Sequence, residues 1–468
     1  MRRDFPSSAN PLLEFAHADW FQASGWLAAR DTQWERQLVD RLAADCGDHE
    51  AAIRAELAQL IREVPDCNDR CWLDLCVKVS AAAKLHGGLA RLQAAVAALG
   101  HAHLEYPAAE LLADLDRFRQ RVAETVATLG PAAPAVGVLM AELPRMQRHM
   151  LVDMNPLLKD REILFVKRHT YNSKHYYDDF QHISRFGGNL CALSMADGSV
   201  RELAPALEGG VFDRYDLSFD AQRVAFGYRR PLPEGYRIWE VGVDGSGLRQ
   251  VTRPPDDEDE RMAKYGRTSY GDGFYGLLGY RFWTDDVHPC YLPDGGLCFA
   301  STRGERGVLC TPAHYLACTN LFRIGDDGKG LRPLSYGALS EFTPAVTEDG
   351  RILYNRWEYV YKGIGAIQSL WTMRPDGSGS EEFYGNNITN PGVLWQARQM
   401  PGHPRRAVCI GCGHEPLGVG QVLLVDIDRG KRSPGAMTSL TPNVRTEGLR
   451  GLYQLRNGLW REDVFGPF

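Results

Sequence analysis

The chain has 468 residues, of which 44% are hydrophobic and 24% charged, and its formal net charge is −6. This length allows two to four domains, or one large repeat domain with an extension. The negative charge argues against a general nucleic-acid-binding protein, which needs a basic surface to neutralise phosphates. Since no apolar run reaches the roughly 18 residues of a membrane span, we expect neither nucleic acid nor a membrane among its partners.

The beginning of the chain and its cysteines bear on the cellular compartment. The starting sequence M-R-R-D-F-P-S-S is not followed by the apolar segment of a signal peptide. We therefore expect a cytoplasmic protein, although a leader that had been removed would leave the same sequence. The eleven cysteines would mostly be buried thiols in a reducing compartment, and some of them would pair in an oxidising one.

Residues 1–155 have the hydrophobic period of helices. Apolar residues recur at steps of three and four, as in Trp34, Leu38 and Leu42, and the stretches 72–99 and 108–129 repeat this pattern. Such spacing places the apolar residues on one face of a helix. We therefore predict an α-helical domain of four to six packed helices.

From Ile163 the hydrophobic period changes to two, and short apolar runs alternate with tight turns. One series of turns has its glycines 47, 83, 49 and 53 residues apart; it consists of Asp197-Gly198, Asp244-Gly245, Asp327-Gly328, Asp376-Gly377 and the related Arg429-Gly430. The interval of 83 residues comes close to the other three when an insertion over 254–286 is left out of the count. A period near 50 with four short strands is typical of a β-propeller blade.

The fold class predicted for the chain is α + all-β, with a helical domain over 1–155 and a five- or six-bladed β-propeller over 156–468. Units are expected to begin near Phe212, Val287, Phe342 and Val393. In the two clearest units the predicted strands are 287–292, 297–301, 320–325 and 331–334, then 342–347, 351–355, 369–373 and 381–384. The first unit, from Ile163, lacks an innermost strand, and the last blade, after 451, is partial.

The long connections all fall on one face of this predicted propeller. They are the loops 169–188, 254–286, 303–318, 357–368 and 413–420. Six of the seven histidines in the β region lie on or beside these loops. Loops on a rigid scaffold often carry function, but long loops are also polar in general, so a face that only binds a ligand or protein is an alternative.

Candidate metal ligands share this loop-rich face, and they are His175, Asp179, His182, His288, Cys310, His314, Cys318 and His414. His, Cys and carboxylate side chains bind zinc, copper and non-haem iron, and they also serve in acid–base catalysis. The sequence does not assign catalytic roles among them. A transition metal ion is the cofactor that this set of residues favours.

Three local motifs contribute to this set. The run H-T-Y-N-S-K-H-Y-Y-D-D-F-Q-H over 169–182 is the densest cluster, although it is also compatible with a solvated aromatic loop. Cys310, His314 and Cys318 have the spacing of one helix face, and a disulfide between the two cysteines is the alternative. The run over 409–415 resembles a haem-attachment motif, but Gly413 stands where the histidine of C-x-x-C-H is required.

Several runs of sequence resemble a known family. The segment D-V-H-P-C-Y-L-P-D-G-G-L-C-F-A-S-T-R is similar to TolB-type, WD40-like propeller repeats. More narrowly, N-P-L-L-K-D-R-E-I-L-F-V-K-R, D-G-R-I-L-Y-N-R-W-E-Y and S-L-W-T-M-R-P-D-G resemble the propeller domain of the hydrazine synthase alpha subunit. The resemblance covers about 150–445 and implies the propeller fold. That family uses covalently attached c-type haem, but this sequence contains no C-x-x-C-H, so we expect no covalent c-type haem.

These observations lead to two functional hypotheses. The first is a metal-dependent, possibly redox, enzyme on the loop-rich face, with the aromatic insertion 254–286 as a lid or substrate wall. The second is a propeller without catalytic activity that binds a small molecule, a peptide or a partner protein there.

Overall fold

The computed structural model describes residues 36, 39–40, 42–64, 70–129, 134–169, 180, 186–231, 234–265, 283–309, 317–360, 367–389, 391–413 and 420–441. The described residues form two compact units. The first contains those up to Ile163, together with Leu193–Val200. The second contains those of Leu164–Ala192 and those from Arg201 onwards.

The first unit is helical, as predicted. Its helices are α1 (Glu50–Glu63), α2 (Arg70–Ala102), α3 (Ala108–Leu129) and α4 (Pro134–Arg148). A short 3-10 segment, Ala44–His49, precedes α1, and one π turn, His149–Asp153, follows α4. Helix α3 ends directly before the Gly130-Pro131 pair of the sequence. Helix α4 begins at Pro134, because proline fits the first helical turn, where no amide donor is needed.

Apolar residues at helical spacing build the core of this unit. Leu111, Leu115, Phe118 and Val122 lie along one face of α3, and all four side chains are buried. They pack with leucines of α2 and α4 in one cluster. The Tyr106 hydroxyl, in the turn before α3, donates a hydrogen bond of 2.8 Å to the carbonyl of Met150. The burial of one face explains the period that the sequence shows.

The second unit consists of antiparallel sheets whose strands follow one another in sequence. The first sheet has three strands, β1 (Glu162–Arg168), β2 (Gly188–Ser194) and β3 (Val200–Glu202). The second has four, β4 (Val211–Leu217), β5 (Arg223–Arg229), β6 (Arg237–Gly242) and β7 (Arg249–Gln250). The third has β8 (Asp286–Tyr291), β9 (Leu297–Ser301), β10 (Asn320–Ile324) and β11 (Arg332–Pro333).

Two further groups of four strands complete the described part. They are β12 (Ser340–Val346), β13 (Ile352–Trp357), β14 (Gln368–Met373) and β15 (Glu381–Tyr384), then β16 (Val393–Met400), β17 (His403–Cys412), β18 (Gly420–Asp426) and β19 (Met437–Ser439). A single parallel pair, Gln368 with Val393, joins these two groups. Consecutive four-stranded meanders are the arrangement of propeller blades. Within the described residues, no sheet closes on itself.

The tight Asp-Gly turns each connect the last two strands of a group, namely β2 with β3, β6 with β7, β10 with β11 and β14 with β15. Gly198, Gly245, Gly328 and Gly377 all have positive φ, between 74° and 92°. The aspartate before each glycine accepts a hydrogen bond from the amide two residues further on, for example Asp244 Oδ1 from Ser246 at 2.9 Å. The same turn chemistry therefore recurs in each sheet and explains the regular spacing of Asp-Gly pairs.

The insertion over 254–286 contains one described element, helix α5 (Glu258–Tyr265). Glu258 anchors this helix through an ion pair of 2.6 Å with Arg237 at the start of β6. The aromatic residues Tyr270, Phe274, Tyr275, Tyr280 and Phe282, part of the predicted lid, lie outside the described residues. Among the helices that the structure describes, none has both the length and the apolar character needed to cross a membrane.

The helical core gives a direct stability prediction. Leu115 is completely buried in α3, whereas Leu104 is 98% exposed in the preceding turn. We expect Leu115→Ala to lower the free energy of unfolding of the helical unit by about 2–5 kcal/mol, because it leaves a cavity. Leu104→Ala should change it by less than about 0.5 kcal/mol. Denaturant unfolding followed by helical circular dichroism measures both, and equal effects would contradict this core assignment.

Candidate functional site

The first strands of four of these groups share one irregularity. In β4, β8, β12 and β16 a β-bulge places two residues opposite a single residue of the neighbouring strand. The bulged pairs are Asp213-Arg214, His288-Pro289, Thr343-Pro344 and Gln396-Ala397. Each pair directly follows an apolar residue, and all four pairs line one cavity. The bulges therefore form a repeated device that turns polar side chains towards a common centre.

Three bulges contain a residue in the left-handed region. The φ angles are 54° at His288, 46° at Thr343 and 52° at Gln396. These conformations are unfavourable for side chains with a Cβ, and most of all for a β-branched residue such as Thr343. Such strain persists only where contacts with surrounding groups hold the residue in this conformation.

Side chains of the bulges are linked from one sheet to the next. The amide of His288 donates to Asp213 Oδ2 at 3.3 Å, and the amide of Thr343 points to His288 Nδ1 at 3.4 Å. The amide of Gln396 in turn donates to Thr343 Oγ1 at 3.1 Å. Each extra residue leaves an amide without a partner in the strand ladder, and for His288 and Gln396 a side chain of the preceding bulge supplies the acceptor. We call these four residues, Asp213, His288, Thr343 and Gln396, the bulge ring.

Arg214 lies at the centre of the bulge ring. Its Nη1 is 2.5 Å from His288 Nε2 and 3.2 Å from Asp213 Oδ1. With the amide oxygen of Gln396 turned towards the guanidinium, that oxygen accepts from Arg214 Nε at 2.7 Å and from Nη2 at 3.2 Å. The guanidinium also stacks over the Trp395 ring, 4.6 Å from its centroid. Contacts on several sides fix this cation in one orientation.

The charge state of His288 follows from its surroundings. Burial and the neighbouring Arg214 lower the pKa of His288 to about 3, although Asp213 acts in the opposite direction. The imidazole is therefore neutral near pH 7 and has one nitrogen lone pair for an acceptor. The shorter contact assigns that lone pair to Nε2, facing Arg214. A neutral imidazole with this pKa is a poor general base, because it binds a proton only in strong acid.

Asp213 remains a carboxylate although it is fully buried. Burial by itself raises the pKa of Asp213, but the neighbouring positive charges, those of Arg214 and Arg168 while His288 is neutral, outweigh it and leave that pKa below its usual value. Asp216, two residues beyond the bulge, differs, because burial raises its pKa in spite of an ion pair of 2.9 Å with Arg398. The pKa of Asp213 thus lies below the usual aspartate value, and the pKa of Asp216 lies above it.

The bulge ring lines a cavity of about 510 Å³. Its walls are formed by Phe165, Val166, Arg168, Asp213, Arg214, Tyr215, His288, Pro289, Thr343, Pro344, Gln396, Ala397 and Arg398. Five strands, β1, β4, β8, β12 and β16, contribute these residues. Seven of these thirteen residues are charged or polar. The volume lies in the range of small-molecule binding sites, which combine apolar surface with fixed polar groups.

The two ends of this cavity differ in solvent exposure. On the side of the long connections, Phe180 is fully buried and packs edge-on against His288, with ring centroids 6.2 Å apart. Towards the tight turn after β16, the Arg398 side chain is 53% exposed, against 16% for Arg214. Among the described residues, the polar wall of the cavity therefore becomes accessible towards the tight-turn end.

The structure describes two of the eight predicted metal ligands. His288 lies on β8 and lines the cavity. Cys318 is a buried free thiol, and burial raises its pKa to about 12. The other six, His175, Asp179, His182, Cys310, His314 and His414, lie outside the described residues, so their role stays a prediction. Within the described residues, no group of three or more potential ligands comes together.

Sequence reasoning missed the residues that dominate this site, namely Asp213, Arg214, Thr343, Gln396 and Arg398. Our sequence search concentrated on long loops and on His, Cys and carboxylate clusters, whereas these residues lie within strands. A signal was present, because Pro289 and Pro344 interrupt predicted innermost strands. Proline inside a strand is typical of a bulge, and a bulge re-aims side chains.

No protein-family model matches the chain, and no curated protein matches it. Among solved structures, it is similar to hydrazine synthase from Kuenenia stuttgartiensis, with 18% identity and a TM-score of 0.44 over 60% of this chain and 39% of that one. It is also similar to a putative TolB from Agrobacterium tumefaciens, with 15% identity and a TM-score of 0.37 over 60% of this chain and 87% of that one.

A third similar structure is an oligogalacturonate lyase in complex with manganese, with 12% identity and a TM-score of 0.33 over 57% of this chain and 77% of that one. The predicted resemblance to TolB-like propellers and to hydrazine synthase is confirmed as a likeness of fold. The chain spans 39% of the hydrazine synthase chain, well under half of its length. These likenesses do not determine an activity.

The buried neutral His288 predicts how stability depends on pH. Its pKa is about 3 in the folded protein, against about 6.5 when exposed. Above about pH 6.5 neither state is protonated and the full stability is present. Below that pH only the unfolded chain binds the proton, so stability falls by up to about 1.4 kcal/mol per pH unit until about pH 3.

We expect His288→Gln to remove this slope, since Gln offers an oxygen to Arg214 but does not titrate. His403, exposed at the start of β17, provides the matched control, and His403→Gln should keep the slope. Denaturant unfolding of the second unit, followed by tryptophan fluorescence at several pH values above the carboxyl range, measures this difference. An unchanged slope in His288→Gln would contradict the neutral state assigned to His288.

Proposed function

We propose that the second unit is a β-propeller of five or six blades that binds a small molecule in its central channel. The observation that supports this most directly is the bulge ring, which holds Arg214 rigidly in the wall of a metabolite-sized cavity. A binding site whose polar groups are fixed in advance loses less entropy when its ligand arrives.

Five groups of strands contribute to the channel, which supports at least five blades. In four groups the strand with the bulge is the first of its meander. In the first sheet, β1 lines the cavity instead and pairs with β2 on one side. The sequence after 451 predicts two further strands, over 451–456 and 459–463. They would supply an innermost strand on the other side of β1. This arrangement is part of the proposal, because those residues lie outside the described part of the chain.

Binding fits the channel better than catalysis does. A general base needs a pKa near the working pH, whereas that of His288 is held far below it. The carboxylate of Asp213 is fully buried and engaged by Arg214 and by the amide of His288. The polar groups of the bulge ring thus satisfy one another. They form a structured wall of the cavity, and none of them is available as a reactive group.

Narrowing the channel tests this proposal. Phe165 on β1 lines the cavity and belongs to none of the core clusters that the described residues form, whereas Phe219, in the turn after β4, is 68% exposed. We expect Phe165→Trp to weaken binding of channel ligands at least tenfold by occupying their space, and Phe219→Trp to leave binding unchanged. The measurement is ligand-observed NMR with a library of small metabolites and short peptides against both variants and the original protein. Hits that bind both variants equally would place the binding site elsewhere.

A metal-dependent, possibly redox, enzyme on the loop-rich face is a second proposal. Phe180 belongs to the loop that carries His175, Asp179 and His182, and it packs against His288 at the channel. This contact anchors one point of the densest predicted ligand cluster beside the channel. Zinc, copper or iron would suit His and carboxylate ligands of this kind.

Elemental analysis of protein purified without added metal tests the second proposal. We expect close to one equivalent of a transition metal per chain, and a strong decrease in the double variant His175→Ala/His182→Ala. His403→Ala is the control for removal of an exposed histidine. Protein that contains no transition metal, and takes none up on titration, would rule the metal site out and leave the binding function unaffected.

A further inference from the structure

We infer that Arg229 is the anchor of a second ligand site, where its guanidinium binds the carboxylate or phosphate group of a small acid. Arg229 is the last residue of β5, at the end that leads into the connection to β6. The inference goes beyond the channel ligand, because Arg229 is not among the residues that line the cavity. Three observations support it: the burial of Arg229, the pairing of the arginines around it, and its stacking on Trp283.

Arg229 is a nearly buried cation without a counter-ion among the described residues. The residue is only 8% exposed, and its Nε is buried with no hydrogen-bond partner. Within the part of the chain that the structure describes, its guanidinium makes neither an ion pair nor a hydrogen bond. A buried charge is costly unless an opposite charge and hydrogen bonds replace the water that it has lost. An anion bound to Arg229 would supply both.

The arginines around Arg229 already have carboxylate partners of their own. These pairs are Arg230 with Glu234 at 3.7 Å, Arg237 with Glu258 at 2.6 Å, and Arg303 with Asp286 at 2.7 Å. Each of these carboxylates is therefore engaged by a neighbouring guanidinium. Among the described residues at this end of the second and third sheets, the positive charge of Arg229 is left for a group from outside the chain.

Stacking fixes the orientation of Arg229 without using its donors. The guanidinium lies over the Trp283 ring, 5.3 Å from its centroid. Trp283 precedes β8 of the third sheet, so this contact joins two neighbouring sheets. The five N–H donors of an arginine lie in the plane of the guanidinium and not on the face that stacks. An oxyanion can therefore accept two of them in the bidentate geometry that carboxylates and phosphates prefer.

The burial of Arg229 limits what can reach it. A flat protein surface would not contact a residue that is 8% exposed, whereas an ion of a few atoms would. Carboxylate and phosphate groups share the required chemistry, since both are small and carry several oxygen acceptors with negative charge. The inferred ligand is therefore a small acid, and the experiment separates these two sources of the oxyanion.

Isothermal titration of the full chain with acetate, inorganic phosphate and acetamide tests the inference. The ionic strength is kept constant, because screening would otherwise change with each addition. We expect acetate or phosphate to bind at about 10 mM or more tightly, and the tighter of the two identifies the acid. Acetamide, which has the shape of acetate without its charge, should bind at least tenfold more weakly than acetate if the acid is a carboxylate, and not at all if it is a phosphate.

The key variant is Arg229→Gln, which should weaken binding of the anion at least tenfold. Arg230→Gln is the matched control and should leave binding unchanged, because Arg230 also stacks on a tryptophan, Trp239, but pairs with Glu234. If Arg229→Gln does not fold, Arg229→Lys replaces it. Lysine keeps the charge but loses the planar fork, so binding should still weaken severalfold.

The outcomes also separate this site from the channel. Phe165→Trp should leave anion binding unchanged, since Arg229 lies outside the cavity wall. An anion that binds Arg229→Gln, or Arg229→Lys in its place, as tightly as the original protein would overturn the inference, and so would one that Phe165→Trp alone displaces. Failure of both anions to bind at about 10 mM would overturn it too, and the channel function would stand as before.

Discussion

The constraint on which this site depends is the amide that each β-bulge leaves without a partner. Two residues opposite one cannot both join the strand ladder, and a buried amide without an acceptor costs about 1–3 kcal/mol. Asp213 and Thr343 each accept such an amide from the next bulge, and the imidazole of His288 faces the amide of Thr343. Polar residues at these positions therefore have a structural reason to exist. Their presence in the channel is not by itself a sign of ligand binding or catalysis.

This structural role has electrostatic consequences. A fully buried carboxylate such as Asp213 requires a cation nearby, because the desolvation of an isolated charge is very costly. Arg214 supplies it, and burial together with the same guanidinium keeps His288 neutral. One bulge therefore fixes the charge state of a residue in the next. Arg398, the exposed cation of the wall, in turn pairs with Asp216 at 2.9 Å, so each of these two aspartates of β4 has an arginine beside it.

Much of the fold, but little of this site, could be predicted from the sequence. The helical period of the first 155 residues and the Asp-Gly turns are local signals, and the predicted strand 297–301 agrees with β9 to the residue. A bulge changes the alternation of only two positions, so periodicity does not reveal it. Arg214 matters through partners 74 and 182 residues away, His288 and Gln396, and no local pattern contains that information. The predicted ligand loops lie mostly outside the described residues and remain predictions.

The position of the cavity along the channel changes how its ligand would enter. The long connections carry most of the histidines, so the sequence favoured a site on that face. In the second unit, Phe180 closes against His288 on that side, whereas Arg398 stands near the tight turn at the other end of β16. A ligand that enters past Arg398 meets the charged group first and the prolines of the bulges afterwards. A ligand of this cavity would therefore pass side chains of the strands and not the loops that the sequence singled out, because the tight-turn end is the accessible one among the described residues.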